Sequence, residues 1–234
     1  MNSHIPFQIP LSVGLRDDAR FENFSAQGNE LVCATLKAAS AGEGEQFLFI
    51  WGSAGVGCTH LLQAACHEAP LYQRQAAYLP LDELRLFGPE SLVGMEHVNL
   101  VCVDNLQAVA GDARWEEALF HFFNRVRQNN NNLIIAGNGA PRQLAIDLPD
   151  LSSRMSWGIV FQVHALDDEF KAELLIKRAA ARGIELGEDV TKYLLSHASR
   201  DMSDLFRLLD KLDQASLSAK RKVTIPFVKE VTGF

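Results

Sequence analysis

Five short apolar segments alternate with helical patterns, and this alternation constrains the fold of the 234-residue chain more than any other feature. The segments are residues 46–51, 76–80, 98–104, 132–137 and 158–163. Three of them are almost continuously apolar, which is typical of strands buried on both faces of a parallel sheet. Strands that alternate with helices predict an α/β fold, with a five-stranded parallel sheet and helices on both of its faces.

The pattern changes after residue 164, where no further strand is predicted. Helices are expected from Asp167, as an N-cap, to Arg182, then at about 188–198 and 201–219, and from Thr224 onwards. We therefore predict three regions along the chain. They are an extended N-terminal segment at 1–17, an α/β domain at 18–163 and a small all-α domain at 164–234.

The composition narrows the classes of function. A net charge of −7 argues against a general nucleic-acid binder, because such proteins depend on basic charge to neutralise phosphates. The compact basic run at 220–222 is interpreted as a solvated surface. Four scattered cysteines without a C-x-x-C pair favour reduced thiols. With no signal peptide and no apolar run of about 20 residues, we expect a cytoplasmic protein without a membrane span.

The segment "GSAGVGCTH" follows the first predicted strand and opens a helix, which is the context of a phosphate-binding loop. Its glycines allow backbone N–H groups to converge on phosphates, and Thr59 offers a hydroxyl to Mg²⁺. Cys58 stands where the pattern has a lysine, so the cation that bridges β- and γ-phosphates is missing. The candidate nucleotide-binding residues are Gly52, Ser53, Ala54, Gly55, Val56, Gly57, Cys58, Thr59 and His60. A glycine-rich turn without a ligand is the alternative.

Polar residues follow two further strands. Asp104 ends the third strand and is a candidate ligand of Mg²⁺ together with Thr59. The next residue, Asn105, occupies a position that usually carries the carboxylate of the catalytic base, and an amide cannot act as a base. Asn138 follows the fourth strand and is a candidate contact for a γ-phosphate, although Asn138-Gly139 alone predicts only a turn.

Longer segments add a family resemblance. The loop, Asp104, Asn138 and the C-terminal helices resemble an AAA+ module of the P-loop NTPase type with a helical lid. "ARFENFSAQGNELVCATL" resembles the nucleotide box of the DnaA family, with Phe21, Phe24 and Asn29 in matching places. "NGAPRQL" and "LPDLSSRMSWG" resemble the segments that carry sensor I and the arginine finger, and "KVTIPFVKE" resembles the end of a shorter relative. Taken together, the chain resembles the Hda family of regulatory inactivators of DnaA.

The resemblance implies particular roles. Arg154 matches the arginine finger, which acts in trans on ATP bound to DnaA. Ser203 occupies the place of the sensor II arginine, with Arg200 and Arg207 nearby but out of register. Since Cys58, Asn105 and Ser203 all weaken γ-phosphate chemistry, we expect bound ADP or another nucleoside diphosphate, and weak or absent hydrolysis by the chain itself. Whether Mg²⁺ accompanies the diphosphate stays open.

The N-terminal "QIPLSV" resembles the peptide that docks on the DNA polymerase III β sliding clamp, which implies contact with DNA through the clamp. The predicted clamp-binding residues are Gln8, Ile9, Leu11 and Val13. A disordered tail is the alternative for this segment. For the whole chain, the alternatives are an autonomous AAA+ ATPase and a helicase-loading or DNA-binding module. The oligomeric state stays open, a homo-oligomer included.

Overall fold

The structure, a computed structural model, describes residues 14–199 and 202–234. The described chain divides into two compact units. The first contains residues 14–53 and 57–164, and the second contains residues 54–56 together with the residues from 165 onwards. The predicted clamp-binding residues Gln8, Ile9, Leu11 and Val13 lie outside the described residues, so their role stays a prediction.

A five-stranded sheet forms the centre of the first unit. Its strands are β1 (Phe47–Trp51), β2 (Ala76–Pro80), β3 (Leu100–Asp104), β4 (Asn132–Gly137) and β5 (Ile159–Gln162). They lie in the order β2-β3-β4-β1-β5, and all neighbouring pairs are parallel. β3 and β4 are completely buried, as their apolar sequences predict. The predicted α/β fold is therefore confirmed, with strand ends that differ from the prediction by no more than two residues.

Helices connect these strands. They are α1 (Glu30–Ala41), α2 (Cys58–Glu68), α3 (Leu81–Leu84), α4 (Ala113–Gln128) and α5 (Pro149–Met155). The apolar stripe of Trp115, Leu119 and Phe122 predicts a helix over 113–128, and α4 has these limits. Its start is capped by the Asp112 carboxylate, which accepts hydrogen bonds from two backbone N–H groups. Apolar periodicity did not predict α1, α3 or α5. The last two are shorter than two helical turns, so a periodic pattern cannot be recognised in them.

Arg74 fastens the amino-terminal edge of the sheet. Its guanidinium donates to the carbonyl oxygens of Ala39, Ser40 and Asn99 at 2.7, 3.0 and 2.9 Å, and to Oδ1 of Asn132 at 2.7 Å. One side chain thus joins the end of α1 to the starts of β3 and β4. The main core of the unit packs α4 against the sheet, with Phe122 and Phe123 at its centre.

The second unit is helical. Its helices are α6 (Asp168–Ala180), α7 (Glu188–His197), α8 (Met202–Ala219) and α9 (Ile225–Thr232). The predicted cap at Asp167 is confirmed, because its side chain accepts a hydrogen bond from the backbone N–H of Phe170. Thr224, where the last helix was predicted to start, is the N-cap of α9, and its hydroxyl accepts from the Phe227 N–H. α6 ends at Ala180, earlier than the predicted Arg182. A separate apolar core holds this unit together, with Leu175, Leu194, Leu209, Leu212 and Phe227 among its buried members. In the part of the chain that the structure describes, no helix has the length and apolarity needed to cross a bilayer.

Candidate functional site

The carboxyl ends of the parallel strands bring the predicted site residues to one edge of the sheet. The glycine-rich loop follows β1, Asp104 is the last residue of β3, and Asn138 follows β4. Ligands of open α/β sheets bind outside this edge, where loops and helix starts meet. The sheet order places β4 between β1 and β3, so Asn138 follows the strand that separates the loop from Asp104.

The loop itself needs glycine at two positions. Gly55 and Gly57 have φ angles of 82° and 101°, in the left-handed region that side chains rarely adopt. A Cβ atom at position 57 would also lie 2.7 Å from Cε2 of Phe24, closer than carbon atoms can approach. Gly57 is the N-cap of α2, so this close packing against Phe24 fixes where the helix begins. Backbone N–H groups at such a helix start are suited to an anion.

Asp104 is the hub of a buried hydrogen-bond network. The hydroxyls of Thr59 and Tyr78 each donate to its Oδ2 at 2.7 Å, and the Asn105 N–H donates to its Oδ1 at 2.8 Å. Only 2% of Asp104 is exposed. Burial raises the pKa of this carboxyl above its usual range, and the hydrogen bonds from Thr59 and Tyr78 oppose that rise.

Thr59 and Asp104 fit a Mg²⁺ ion. A hydroxyl and a carboxylate oxygen are the hard ligands that Mg²⁺ prefers, and here they lie side by side. The carboxylate is desolvated, so a nearby cation would stabilise its charged form. No cluster of three acidic, histidine or cysteine side chains that could hold a metal exists within the described residues. Mg²⁺ at this place would therefore depend on phosphate oxygens for its remaining ligands.

Cys58 replaces the lysine of the phosphate loop, and Asn105 replaces a carboxylate after β3. Neither residue supplies the cation or the base that is missing. Burial, and then the Asp104 carboxylate, raise the pKa of Cys58 to about 12, so its thiol is neutral at pH 7 and provides no cation. Asn105 is held with φ 57° and ψ 46°, donates its amide to Asp82 at 2.9 Å and accepts from Gln107 at 3.1 Å. The neutral thiol therefore provides no cation at position 58, and the engaged amide provides no base at position 105.

The two aromatic residues of the predicted nucleotide box pack in different ways. Phe21 is buried, and Nζ of Lys37 lies 5.3 Å from its ring centroid. Phe24 is partly exposed, and its ring centroid lies 5.7 Å from that of His60. His60 is almost completely buried, with Nε2 at 2.9 Å from the Arg20 carbonyl oxygen. Phe24 is thus the aromatic residue that contacts the loop, while Phe21 belongs to the core beneath it.

Asn29 has a structural role. Its side chain is 2% exposed and forms a paired interaction with the backbone of His164, donating to the carbonyl oxygen at 3.0 Å and accepting from the N–H at 2.8 Å. The residue therefore ties the start of α1 to the end of the first unit. The predicted contact between Asn29 and a nucleotide stays a prediction, and the amide is already engaged by the protein.

Three other predicted site residues lie after β4 or on α8. Asn138 is exposed, and its backbone N–H donates to Oε1 of Gln107 at 3.2 Å. Ser203 falls within α8. Arg207 also lies on α8, and its guanidinium forms an ion pair with Asp204 at 2.5 Å. Their roles as sensor residues stay predictions.

Arg154 lies near the end of α5 and is half-buried. Its Cζ is 4.6 Å from the ring centroid of Trp157 and 5.9 Å from that of Phe123. Among residues 14–199 and 202–234, no carboxylate forms an ion pair with it. An open pocket of about 480 Å³ is lined by Arg142, Ser152, Ser153, Arg154, Ser156 and Trp157. The guanidinium is thus available to an anion from outside the chain.

Comparison with known proteins agrees with this geometry. The family model for the bacterial DnaA ATPase domain matches residues 93–162, which include Asp104, Asn138 and Arg154. The model for the Hda lid domain matches residues 168–232, which cover α6 to α9. The chain is thus DnaA-like in its α/β part and similar to Hda in its helical part, with an AAA+ fold.

Solved structures resemble the DnaA-like protein over most of its length. AMPPCP-bound DnaA from Aquifex aeolicus is 27% identical, with a TM-score of 0.71, and the match covers 88% of this chain and 69% of that one. A replication initiator DnaA bound to AMPPCP and single-stranded DNA is 26% identical, with a TM-score of 0.72 and coverage of 88% and 69%. Domain III of DnaA from Thermotoga maritima is 22% identical, with a TM-score of 0.77 and coverage of 94% and 98%, and this likeness supports the fold alone.

Sequence reasoning missed two polar residues of the DnaA-like protein that position the site. Tyr78 donates to Asp104 because β2 lies beside β3 in the sheet. Glu116 is 2% exposed, and its carboxylate accepts three backbone hydrogen bonds, from Gly111 at 2.7 Å, Asp147 at 3.1 Å and Leu148 at 2.7 Å. Leu148 is the N-cap of α5, so Glu116 fastens the helix that carries Arg154.

Glu116→Gln is expected to lower the free energy of unfolding by about 2 kcal/mol, because an amide N–H₂ would face a backbone N–H in a buried place. Urea unfolding followed by circular dichroism measures the change. Glu117→Gln is the matched control, since its side chain is 75% exposed and pairs with His121 on the surface of α4. The control should stay within about 0.5 kcal/mol of the parent chain. Equal losses in the two variants would contradict the anchoring role of Glu116.

Proposed function

We propose that this DnaA-like AAA+ protein regulates the initiation of DNA replication by stimulating hydrolysis of ATP bound to DnaA. The observation that carries the proposal is Arg154, a cation without an ion-pair partner in the described chain, which lines an open pocket. A guanidinium is permanently charged and planar, so it can stabilise the negative charge that develops on a transferring γ-phosphoryl group. Conversion of ATP to ADP on DnaA would make the initiator inactive and prevent a second initiation.

The protein's own loop is proposed to hold ADP. Left-handed glycines and the start of α2 offer backbone N–H groups to a diphosphate, and this cradle does not depend on the lysine that is missing. Thr59 and Asp104 would hold Mg²⁺, which neutralises phosphate charge when bound. The neutral thiol of Cys58 and the engaged amide of Asn105 favour binding without hydrolysis. The AMPPCP-bound DnaA of Aquifex aeolicus, a relative of the same fold, supports a nucleotide as the ligand.

The second proposed partner is the β sliding clamp of DNA polymerase III, loaded on DNA. The amide of Gln8 would enter a polar notch, and Ile9, Leu11 and Val13 would fill apolar pockets. Pro10 favours an extended segment, which reduces the entropy lost on docking. The chain would reach DNA through the clamp, in keeping with its net charge of −7.

A reconstituted reaction tests the proposal. DnaA loaded with radiolabelled ATP is mixed with the ADP-bound protein and with clamp loaded on DNA. Hydrolysis is expected to rise by about 100-fold when all components are present, as is typical of a single well-placed transition-state contact. Omission of the clamp, or the double substitution Gln8→Ala with Leu11→Ala, should return the rate close to that of DnaA alone. An unchanged rate in the complete mixture would reject the proposal.

Two simpler measurements separate this function from its alternatives. The purified protein is expected to carry a diphosphate and to hydrolyse ATP poorly by itself; rapid turnover without a partner would indicate an autonomous ATPase. A titration against single-stranded DNA at several salt concentrations should show no strong binding. Tight binding that weakens steeply with salt would instead favour a helicase-loading or DNA-binding module.

A further inference from the structure

Two guanidinium groups lie against a single aromatic ring. Trp157 follows α5, and its ring centroid is 4.0 Å from Cζ of Arg127 and 4.6 Å from Cζ of Arg154. Both distances lie within the range of cation–π attraction, for which tryptophan is the best partner. No ion pair involves either arginine in the described part of the chain. The indole ring is therefore the main contact that the structure gives to the Arg154 guanidinium.

The ring itself is held firmly. Its centroid lies 6.4 Å from that of Phe47, with an interplanar angle of 11°, and 6.1 Å from that of Phe123, with an angle of 27°. The backbone N–H of Trp157 donates to the carbonyl oxygen of Arg154 at 3.0 Å, which fixes the main chain that carries the ring. The next residue, Gly158, approaches the backbone of Phe47 so closely that a Cβ atom has no room. Packing from α4 and β1 thus fixes the ring, and 47% of Trp157 is still exposed.

We propose that Trp157 is a positioning residue for Arg154. The ring would hold the long arginine side chain in an ordered conformation before a partner docks. Less conformational entropy would then be lost when the guanidinium contacts the partner's γ-phosphate. This inference rests on the proposed function, because it concerns the same arginine. Arg127 uses the same ring but is not required for the positioning. A different reading, in which only the summed positive charge of this surface matters, gives Arg127 the same weight as Arg154 and gives the neutral Trp157 none.

Substitutions of Trp157 separate the effect of its aromatic face from the effect of its apolar bulk. Trp157→Phe keeps an aromatic face, and Trp157→Leu keeps an apolar side chain without one. In the reconstituted reaction, the leucine variant is expected to lower kcat of the stimulated hydrolysis about tenfold, with KM for the ATP-loaded partner changed by less than about twofold. The phenylalanine variant should retain kcat to within about threefold. A leucine variant with an unchanged kcat, or with its whole effect in KM, would overturn the proposal.

Arg127→Ala is the matched control, because it removes the neighbouring charge and leaves the ring in place. Its kcat should stay within about twofold of the parent protein. A loss equal to that of Trp157→Leu would show that the neighbouring charge contributes as much as the ring, and would overturn the proposal. The thermal midpoint of every variant is recorded, so that a loss of folding is not mistaken for a loss of positioning.

A measurement on the isolated protein separates this inference from the proposed function. In a sample with ¹⁵N-labelled arginine, the Nε–Hε signal of Arg154, assigned with Arg154→Lys, should be displaced by the ring current of Trp157. The displacement should persist in Trp157→Phe and disappear in Trp157→Leu. If it is absent in the parent protein, the positioning proposal fails, whatever the partner assay shows. If it is present but Arg154→Ala stimulates normally, the proposed function fails while the stacking stands.

Discussion

Arg154→Ala is expected to reduce the stimulated hydrolysis of DnaA-bound ATP by about 100-fold or more, because a single preorganised contact to developing charge contributes a factor of this size. The substituted protein should still fold and bind ADP. Its guanidinium forms no ion pair within the described chain and is half-exposed, so the change in unfolding free energy should be about 1 kcal/mol or less. Single-turnover hydrolysis of radiolabelled ATP on DnaA measures the effect.

Two further variants show whether geometry or charge matters at Arg154. Arg154→Lys keeps a positive charge but loses the planar, forked donor, and most of the stimulation should disappear with it. Arg142→Ala removes another arginine from the same pocket, and should reduce the rate by no more than about tenfold. Normal stimulation by Arg154→Ala would reject the arginine-finger role. Equal losses in Arg154→Ala and Arg142→Ala would indicate a general electrostatic effect of the pocket.

Gly158→Ala is expected to lower the free energy of unfolding by about 3 kcal/mol, at the upper end of what overpacking costs. A Cβ atom at this position would overlap the carbonyl oxygen of Phe47. Phe47 begins β1, which is paired with β4 on one side and β5 on the other, so its backbone has little freedom to move away. The thermal midpoint should fall by about 6–12 °C, since each kcal/mol corresponds to about 2–4 °C in a chain of this size.

Gly139→Ala is the matched control in the same unit. A Cβ atom there would meet only side-chain atoms of Gln143, at 3.5 and 3.6 Å, which are ordinary contacts. Its unfolding free energy should stay within about 0.5 kcal/mol of the parent value. Equal unfolding free energies for Gly158→Ala and Gly139→Ala would contradict this prediction. They would mean that β5 can move away from β1 at little cost. Both values come from the same urea titration.

Features determined by local sequence were predictable. Short segments rich in strand-forming residues, three of them almost continuously apolar, identified all five strands, and the spacing of Trp115, Leu119 and Phe122 identified α4 with its limits. The N-cap at Asp167 and the helix start near Thr224 were predicted in the same way. In each of these cases the determining residues lie within a few positions of one another, so no knowledge of distant contacts was needed.

Features that depend on distant partners were not predictable. Tyr78 reaches Asp104 only because two strands that are separate in sequence become neighbours in the sheet. Glu116 resembles any polar helical residue until the loop ending at Leu148 folds against it. The family resemblance suggested a nucleotide contact for Asn29, whereas the structure engages its amide with His164, far along the chain. The ring contacts of Trp157 were not predictable either, because they involve residues on three different elements, α4, α5 and β1.

The exposure of Trp157 provides the protein with a natural optical reporter. The chain has three tryptophans, of which Trp115 is 3% exposed, whereas Trp157 is 47% exposed beside Arg154. A small collisional quencher such as acrylamide will therefore reach the Trp157 indole far more readily than that of Trp115. A macromolecule that covers Arg154 must also shield this ring, so association can be followed through intrinsic fluorescence, without attaching a dye to the surface under study.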